Sequence, residues 1–350
     1  MAFGNVDAVH DPLRFGELQE AFPGADIVMG STAGEIAGQQ VYDDAIVVTV
    51  STFQKTPLKA ISLDVADFAN SFDCGAALFG ALYSDALRHV FLLSDGTGVN
   101  GDELVRGIND GMPGHVLVTG GLAADAGRFA RTYVGLNQPP LPGRIVAIGY
   151  YGDAVVVGHG SMGGWNEFGP IRVITRSRGN VLYELDGMNA LDLYKKYLGD
   201  RAADLPGAAL LFPLSLFTGD DGQRVVRTIL SIDEAGGSMT FAGDVPMGAR
   251  VQFMMANLDR LIDGAGSAAE HAAARESLAS PELVVMISCV GRKIVLQQRT
   301  EEEVEAVTDF FGDTPVYTGF YSNGEISPVL ETVGCSLHNQ TMTITTYAEA

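Results

Sequence analysis

PheProGlyAlaAspIleValMetGly (22–30), running into SerThrAlaGlyGluIle (31–36), decides the fold because the same pattern returns twice. MetProGlyHisValLeuValThrGly (112–120) runs into GlyLeuAlaAlaAsp (121–125), and PheGlyAspThrProValTyrThrGly (311–319) runs into PheTyrSerAsnGlyGluIle (320–326). The step from the large apolar residue to the closing glycine is constant: 22 to 30, 112 to 120, 311 to 319. GlyGluIle itself recurs at 34–36 and 324–326. Each copy follows an apolar strand and a helix, so the chain reads as repeated strand–helix–strand units. The predicted class is α/β: two related domains with mixed β-sheets flanked by helices, built from repeated β-α-β units. Three glycine turns then lie at equivalent strand ends, where such folds take ligands.

The flanking segments support this. AspPro at 11–12 supplies an N-cap and a first-turn proline. HisValPheLeuLeuSer (89–94) is a buried-strand run, and 102–108 a short helix. ArgIleValAlaIleGly (144–149) and AlaValValValGlyHis (154–159) read as a hairpin about TyrGlyAsp (151–153). Ala190, Leu193, Tyr194, Tyr197 and Leu198 share a helical face that Gly199 ends. Residues 227–232 and 238–242 form a second hairpin, and the helix from 257 extends to about 278. Thr300 and Glu303 predict a capping box. At 350 residues two domains are expected, divided near 180 into 1–179 and 180–350.

Acidic residues outnumber basic ones, 43 to 22, for a net charge of −21. Such a surface repels phosphate backbones, which excludes nucleic acid as the expected partner. Three cysteines without a CxxC pair argue against a disulfide framework. The start of the chain lacks a basic stretch followed by an apolar core, and the most apolar run, 208–217, is short and holds Pro213. A soluble cytoplasmic protein with no membrane contact is expected.

Gly96, Gly98 and Gly101 spell G-x-G-x-x-G after a strand and before a helix. Asp95 would repel a pyrophosphate there, and the next strand ends in ThrGlyGly rather than a ribose-binding acid. A tight structural turn is the better reading. None of the six histidines shows a strong metal-ligand spacing. His89 and His115 begin strands, and His271 reads as exposed on an Ala-rich helix. His159 and His338 sit at glycine-rich or polar strand ends, as site residues do. Arg172, Arg176 and Arg178 alternate as on an edge strand. No G-x-S-x-G elbow supports a nucleophilic enzyme. The enzymatic alternative is a carboxylate acid/base, Glu35 or Glu325, the two facing one another or capping backbone.

Taken in order, these segments resemble the FIST family of sensory domains. GlySerThrAlaGlyGluIle (30–36), LeuSerAspGlyThrGlyValAsnGlyAspGluLeu (93–104) and ThrGlyGlyLeuAlaAlaAsp (119–125) carry the resemblance. So do GlyHisGlySerMetGlyGlyTrp (158–165), GlyAsnValLeuTyrGluLeuAspGly (179–187), PheAlaGlyAspValPro (241–246), SerCysValGlyArg (288–292), 319–326 and LeuHisAsnGlnThrMetThr (337–343). The family often has Gly-Cys before SerThrAlaGly where this chain has Met29-Gly30, and the chain starts within the expected first strand.

The resemblance implies an FIST N-terminal domain (1–179), an FIST C-terminal domain (180–350) and intracellular small-ligand sensing. No kinase, cyclase or receiver segment follows, so a stand-alone sensor is expected, leaning away from enzyme. It would signal by binding a partner such as a histidine kinase or cyclic-dinucleotide enzyme. Some members resemble nitric-oxide-sensing haem proteins, which makes haem a candidate cofactor and His159 or His338 its candidate ligand. The expected ligand-binding residues are Ser31, Thr32 and Glu35 of the first turn, with Asp95, Asn100 and Asp125 of the second unit. His159, Tyr321, Glu325, His338 and Asn339 complete them. Their hydroxyl, amide and carboxylate groups suit an amino acid or similar metabolite.

Overall fold

In the computed structural model, residues 1–205, 207–218, 224–274, 280–328 and 334–350 are described. The three repeats are three β-α-β units. The first pairs Ala2–Asn5 with Val28–Thr32 across helices Val6–His10 and Pro12–Ala21. The second pairs Leu87–Ser94 with Leu117–Leu122 across helix Gly101–Asn109. The third pairs Leu283–Cys289 with Val316–Ser322 across Val290–Leu296 and Thr300–Phe311. All three pairs are parallel, as a helical crossover requires. Side-chain caps start the helices of the first two units. Asn5, Asp11 and Asn100 accept the backbone N–H of Ala8, Leu13 and Glu103.

After its glycine turn each unit crosses to a neighbour's sheet, and the exchange closes into a ring. Glu35–Ala37 leaves the first unit to pair with Val316–Ser322 of the third. Val134–Leu136 leaves the second for Val28–Thr32 of the first. Gly324–Ser327 leaves the third for Leu117–Leu122 of the second. A closing strand then lies antiparallel to the opening strand of its own unit: Ile46–Val48, Arg144–Tyr151 and Met342–Glu349. The result is one four-stranded and two six-stranded mixed sheets in a pseudo-threefold arrangement. The six-stranded sheets, like the four-stranded one, draw strands from widely separated parts of the chain.

An eight-stranded sheet is inserted between Val155–Met162 and helix Leu258–Ala272. It runs from Asn166–Arg178 to Arg250–Met255, with helix Ala190–Leu198 against it, and Gly199 (φ 58°) ends that helix as expected. The hairpin of Ile229–Asp233 with Ser238–Phe241 also forms. Helix Leu258–Ala272 stops short of the expected 278, and residues 275–279 lie outside the described ones.

Four local expectations are corrected. Arg144–Tyr151 and Val155–Met162 form no hairpin, because the second strand crosses to pair with Met342–Glu349. Asn166–Arg178 is not an edge strand. Its first part pairs with Arg250–Met255 and its last with Val181–Leu185, and Arg172 and Arg176 bind Asp186 and Glu184. Thr300 and Glu303 form no capping box. Thr300 Oγ1 donates to Gln297 O at 2.6 Å, and Glu303 turns inward to a buried arginine. His271 is half-buried against a cavity rather than exposed.

Candidate functional site

The three turns meet through a ring of backbone hydrogen bonds. Ala33 N–H donates to Tyr321 O (2.9 Å), Ala124 N–H to Ser31 O (2.9 Å) and Asn323 N–H to Leu122 O (3.2 Å). Each bond links one unit to the next, so the three turns, expected at equivalent strand ends, also converge, and the convergence is closed by backbone. The opening lies beside this ring. A cleft of about 300 Å³ is lined by the 96–101 loop, Leu122, Phe129, Asn180, Leu230, residues 241–244 and Asn323. Five separately read segments (93–104, 119–125, 179–187, 241–246 and 319–326) therefore border one space.

Residue types explain the cleft's shape. The Asp95 carboxylate accepts Thr97 N–H (2.7 Å), Gly98 N–H (2.6 Å) and Gly143 N–H (2.7 Å), which folds the glycine loop as a structural turn. A Cβ on Gly96 would stand 2.0 Å from Ala123 O, so only glycine lets the loop reach the second turn. Arg227, nearly buried, ties the inserted sheet to this wall. It donates to Asp102 Oδ1 (2.9 Å), Asp244 O (3.0 Å) and Leu337 O (3.1 Å), while Asp244 N–H donates to Asp102 Oδ2 (2.6 Å). The cleft walls thus belong chiefly to the second unit and the inserted sheet, joined here by the Arg227 guanidinium and by Asp244. Asp244 is the one titratable side chain among the described lining residues. Burial first, then nearby Asp102, raises its pKa. Asn323 is 7% exposed, and its Oδ1 has no hydrogen-bond partner. A buried acceptor of that kind calls for a donor.

Of the expected site residues, Asn100 lines the cleft, while its side chain caps helix Gly101–Asn109. Asp125 is buried beside the ring and accepts the N–H groups of Phe129, Ala130 and Arg131. Ser31 Oγ accepts Tyr133 N–H, and Thr32 Oγ1 donates to Glu35 Oε1 at 2.5 Å. Tyr321 is fully buried and donates to Glu303 Oε1 at 2.8 Å. Glu325 accepts Ser322 Oγ (2.7 Å), Thr341 Oγ1 (2.8 Å) and Thr341 N–H (3.2 Å). Each carboxylate of the Glu35 and Glu325 couple is held by partners of its own, not by the other. Asn339 is fully buried, and neither amide atom is partnered. These residues surround the ring rather than the cleft. Asn180, Asn323 and the 241–244 strand end are the lining residues missed. They stood inside the segments read as motifs, and among them only Asp244 carries a titratable group.

Burial pushes Glu325 up to about 7, against the lowering hydrogen bonds from Ser322 and Thr341. Its ordinary value is 4.5, so between roughly pH 4.5 and 7 the folded chain holds a proton the unfolded chain has released. That contribution to stability is complete below pH 4.5 and lost as pH rises through 7. Glu35, also pushed to about 7 chiefly by burial, acts in the same sense. E325Q is therefore expected to lose about 2 kcal/mol less than the parent between pH 5 and pH 8. Urea unfolding at both pH values measures this, and equal losses would refute it.

The two histidines expected as haem ligands differ in setting. His338 is buried, its Nε2 donates to Ser327 O at 3.0 Å, and burial lowers its pKa to about 4. That nitrogen is committed to the backbone and does not offer itself to iron. His159 lines a separate cavity of about 490 Å³ with His115, His271 and Arg88. The rest of its described lining is apolar or glycine, with Val116, Leu117, Val155 and Val157 among it. Among the described residues no group of three His, Cys, Asp or Glu is placed to hold a metal. Cys74, Cys289 and Cys335 are free buried thiols, and among the described residues no helix is long and apolar enough to cross a membrane.

Fold and cleft together define an α/β protein with a cleft of about 300 Å³ between a three-unit body and an inserted sheet. The FIST N domain family model matches residues 1–188 and the FIST C domain model residues 190–328, and the chain belongs to the FIST family, whose domains are sensory and act in signal transduction. Uncharacterized proteins of Mycobacterium tuberculosis strains CDC 1551 / Oshkosh and ATCC 25618 / H37Rv are each 24% identical over 306 residues, which is 85% of this chain and 77% of each relative. The crystal structure of cyanuric acid hydrolase from A. caulinodans covers 84% of this chain and 99% of that one at 10% identity. Its TM-score of 0.20 is too low to bear on fold or function.

Proposed function

We propose that this chain is a non-catalytic sensor that takes a small polar metabolite, of amino-acid size, into the 300 Å³ cleft. The observation that carries the reading is Asn323, an almost fully buried amide with an unpartnered oxygen, at the point where five motif segments meet. Asn100 and Asn180 offer further amides, and Phe129, Leu230 and Phe241 offer apolar contact. Such a mix of apolar lining and a few fixed polar groups suits a ligand site. A single titratable lining side chain argues against acid/base chemistry there. Glu35 and Glu325 lie outside the lining.

Signalling follows from the two-body construction. A ligand touching both the 96–101 loop and the 241–244 strand end favours whichever arrangement of body and inserted sheet brings them to it. It shifts the population only by its difference in affinity for the two arrangements. The changed surface is then read by a separate protein, such as a histidine kinase or a cyclic-dinucleotide enzyme. A thermal-shift screen of free amino acids and related amides tests the reading, followed by calorimetry on each hit. At least one compound is expected to bind saturably without turnover. N323A is expected to weaken it at least tenfold, about 1.4 kcal/mol. Failure of every compound, or equal binding by N323A, would sink the assignment.

A further inference from the structure

The pseudo-threefold arrangement leaves two places without a strand among the described residues, one outside Val134–Leu136, where Leu141 makes an isolated bridge, and one outside Ile46–Val48. In the second sheet the closing strand Arg144–Tyr151 is covered on its outer edge by Leu58–Asp64, antiparallel. In the third sheet Met342–Glu349 is covered by Val155–Met162, also antiparallel. In the first sheet the closing strand Ile46–Val48 is itself the edge. Its register makes that edge available. Thr49 N–H donates to Met1 O and the Met1 amine to Thr49 O, so residues 49 and 1 form a hydrogen-bonded pair. By antiparallel alternation Val47 also faces inward, and Val48 turns its N–H and C=O outward. Val48 is 40% exposed and Val50 59%. Beside them an apolar cleft of about 200 Å³ is lined by Leu18, Phe22, Ile27, Phe53 and Leu58 among others, and Asp26 is the one charged side chain among its described lining residues. Asp44, exposed, lies two residues before the strand, and Asp43 beside it is ion-paired with Lys293.

We propose that the outer edge of Ile46–Val48 docks an extended segment of a partner protein, added antiparallel as the missing neighbour strand. The two sister sheets show the kind of occupant, a β-strand. The cleft asks for apolar side chains at alternate positions, and the exposed carboxylates of Asp44 and Asp26 ask for Lys or Arg at the flanks. Backbone pairing supplies the general affinity and the cleft the selectivity, as in other strand-addition interfaces. An uncovered edge of this kind otherwise invites indiscriminate pairing, which neighbouring charge suppresses. The inference is independent of the ligand cleft.

The test uses the whole chain and a fluorescein-labelled peptide, LysValThrValThrValLys, followed by anisotropy. Saturable one-to-one binding is expected. The acid-flanked peptide GluValThrValThrValGlu is expected to bind at least tenfold more weakly. V48P removes the outward N–H at an edge position where proline is tolerated, and should weaken binding at least tenfold with little change in Tm. V50K places a like charge against the basic flank at an exposed residue, and should weaken it about fivefold. The proposal is overturned if the basic peptide does not bind. It is equally overturned if both variants bind as the parent does. A homodimer that V48P dissolves would also overturn it, by assigning the edge to a second copy.

Discussion

Replacing Arg292 with methionine is expected to destabilise the protein by about 3–5 kcal/mol, the cost of leaving one partner of a buried ion pair uncompensated. Arg292 and Glu303 are both fully buried, with Nη2 2.8 Å and Nε 2.9 Å from Glu303 Oε2. Ser288 Oγ and Tyr321 Oη donate to the other carboxylate oxygen at 2.8 Å each, so Glu303 is satisfied only while the guanidinium is present. The arginine does more than neutralise it. It donates to Gly163 O (2.5 Å), just before the chain enters the inserted sheet, and to Leu261 O (2.7 Å), just after the chain leaves it. One side chain thus fastens both crossings of the insertion to the third unit. Urea unfolding followed by two probes measures the loss. R292M/E303L should be less destabilised than the two single losses sum to, with a coupling of about 2 kcal/mol. A single variant within 1 kcal/mol of the parent would show that the pair contributes little.

Replacing Gly120 with alanine is expected to cost about 3 kcal/mol, at the upper end for overpacking. A Cβ there would stand 1.9 Å from Leu92 O, a backbone atom of the paired parallel strand that cannot rotate away. Gly120 also has φ 151°, which alanine adopts poorly. Gly319 is the same position in the third unit, with its Cβ 1.9 Å from Met286 O. Gly16 is the contrast. It lies within helix Pro12–Ala21 with nothing within 4 Å of an added Cβ, and G16A should stabilise by about 0.5–1 kcal/mol. Chemical denaturation of both variants reads the difference. Similar small effects at the two sites would contradict the close strand approach.

Those glycines show why much of the fold was legible. The closing Gly of each repeat recurs because neighbouring strands approach too closely for a side chain, at least at 120 and 319. The apolar strands, the caps at Asn5, Asp11 and Asn100, and the helix end at Gly199 are likewise local, and local chemistry is visible in sequence. What was not legible is exchange between sheets. Residues 144–151 and 154–159 have the pattern of a hairpin, yet pairing partners 190 residues away win the second strand. The Thr300–Glu303 spacing has the pattern of a capping box, yet a buried arginine claims the glutamate.

The candidate site divides in the same way. The turns that carry Ser31, Thr32, Glu35, Tyr321 and Glu325 do converge, but their side chains mostly bond one another or nearby backbone. Asp95 and Asp125, chosen as pocket carboxylates, spend their oxygens on backbone N–H groups. The lining itself comes from glycines, amides and aromatic residues, whose role appears only when the inserted sheet is set against the 96–101 loop.

Hydrogen–deuterium exchange with and without a ligand found by the thermal-shift screen tests the central claim most directly. The account predicts new protection in three separated stretches together: the loop at 96–101, the strand end at 241–244 and the turn around Asn323. Protection confined to the His159 cavity, or to none of these stretches, would contradict it.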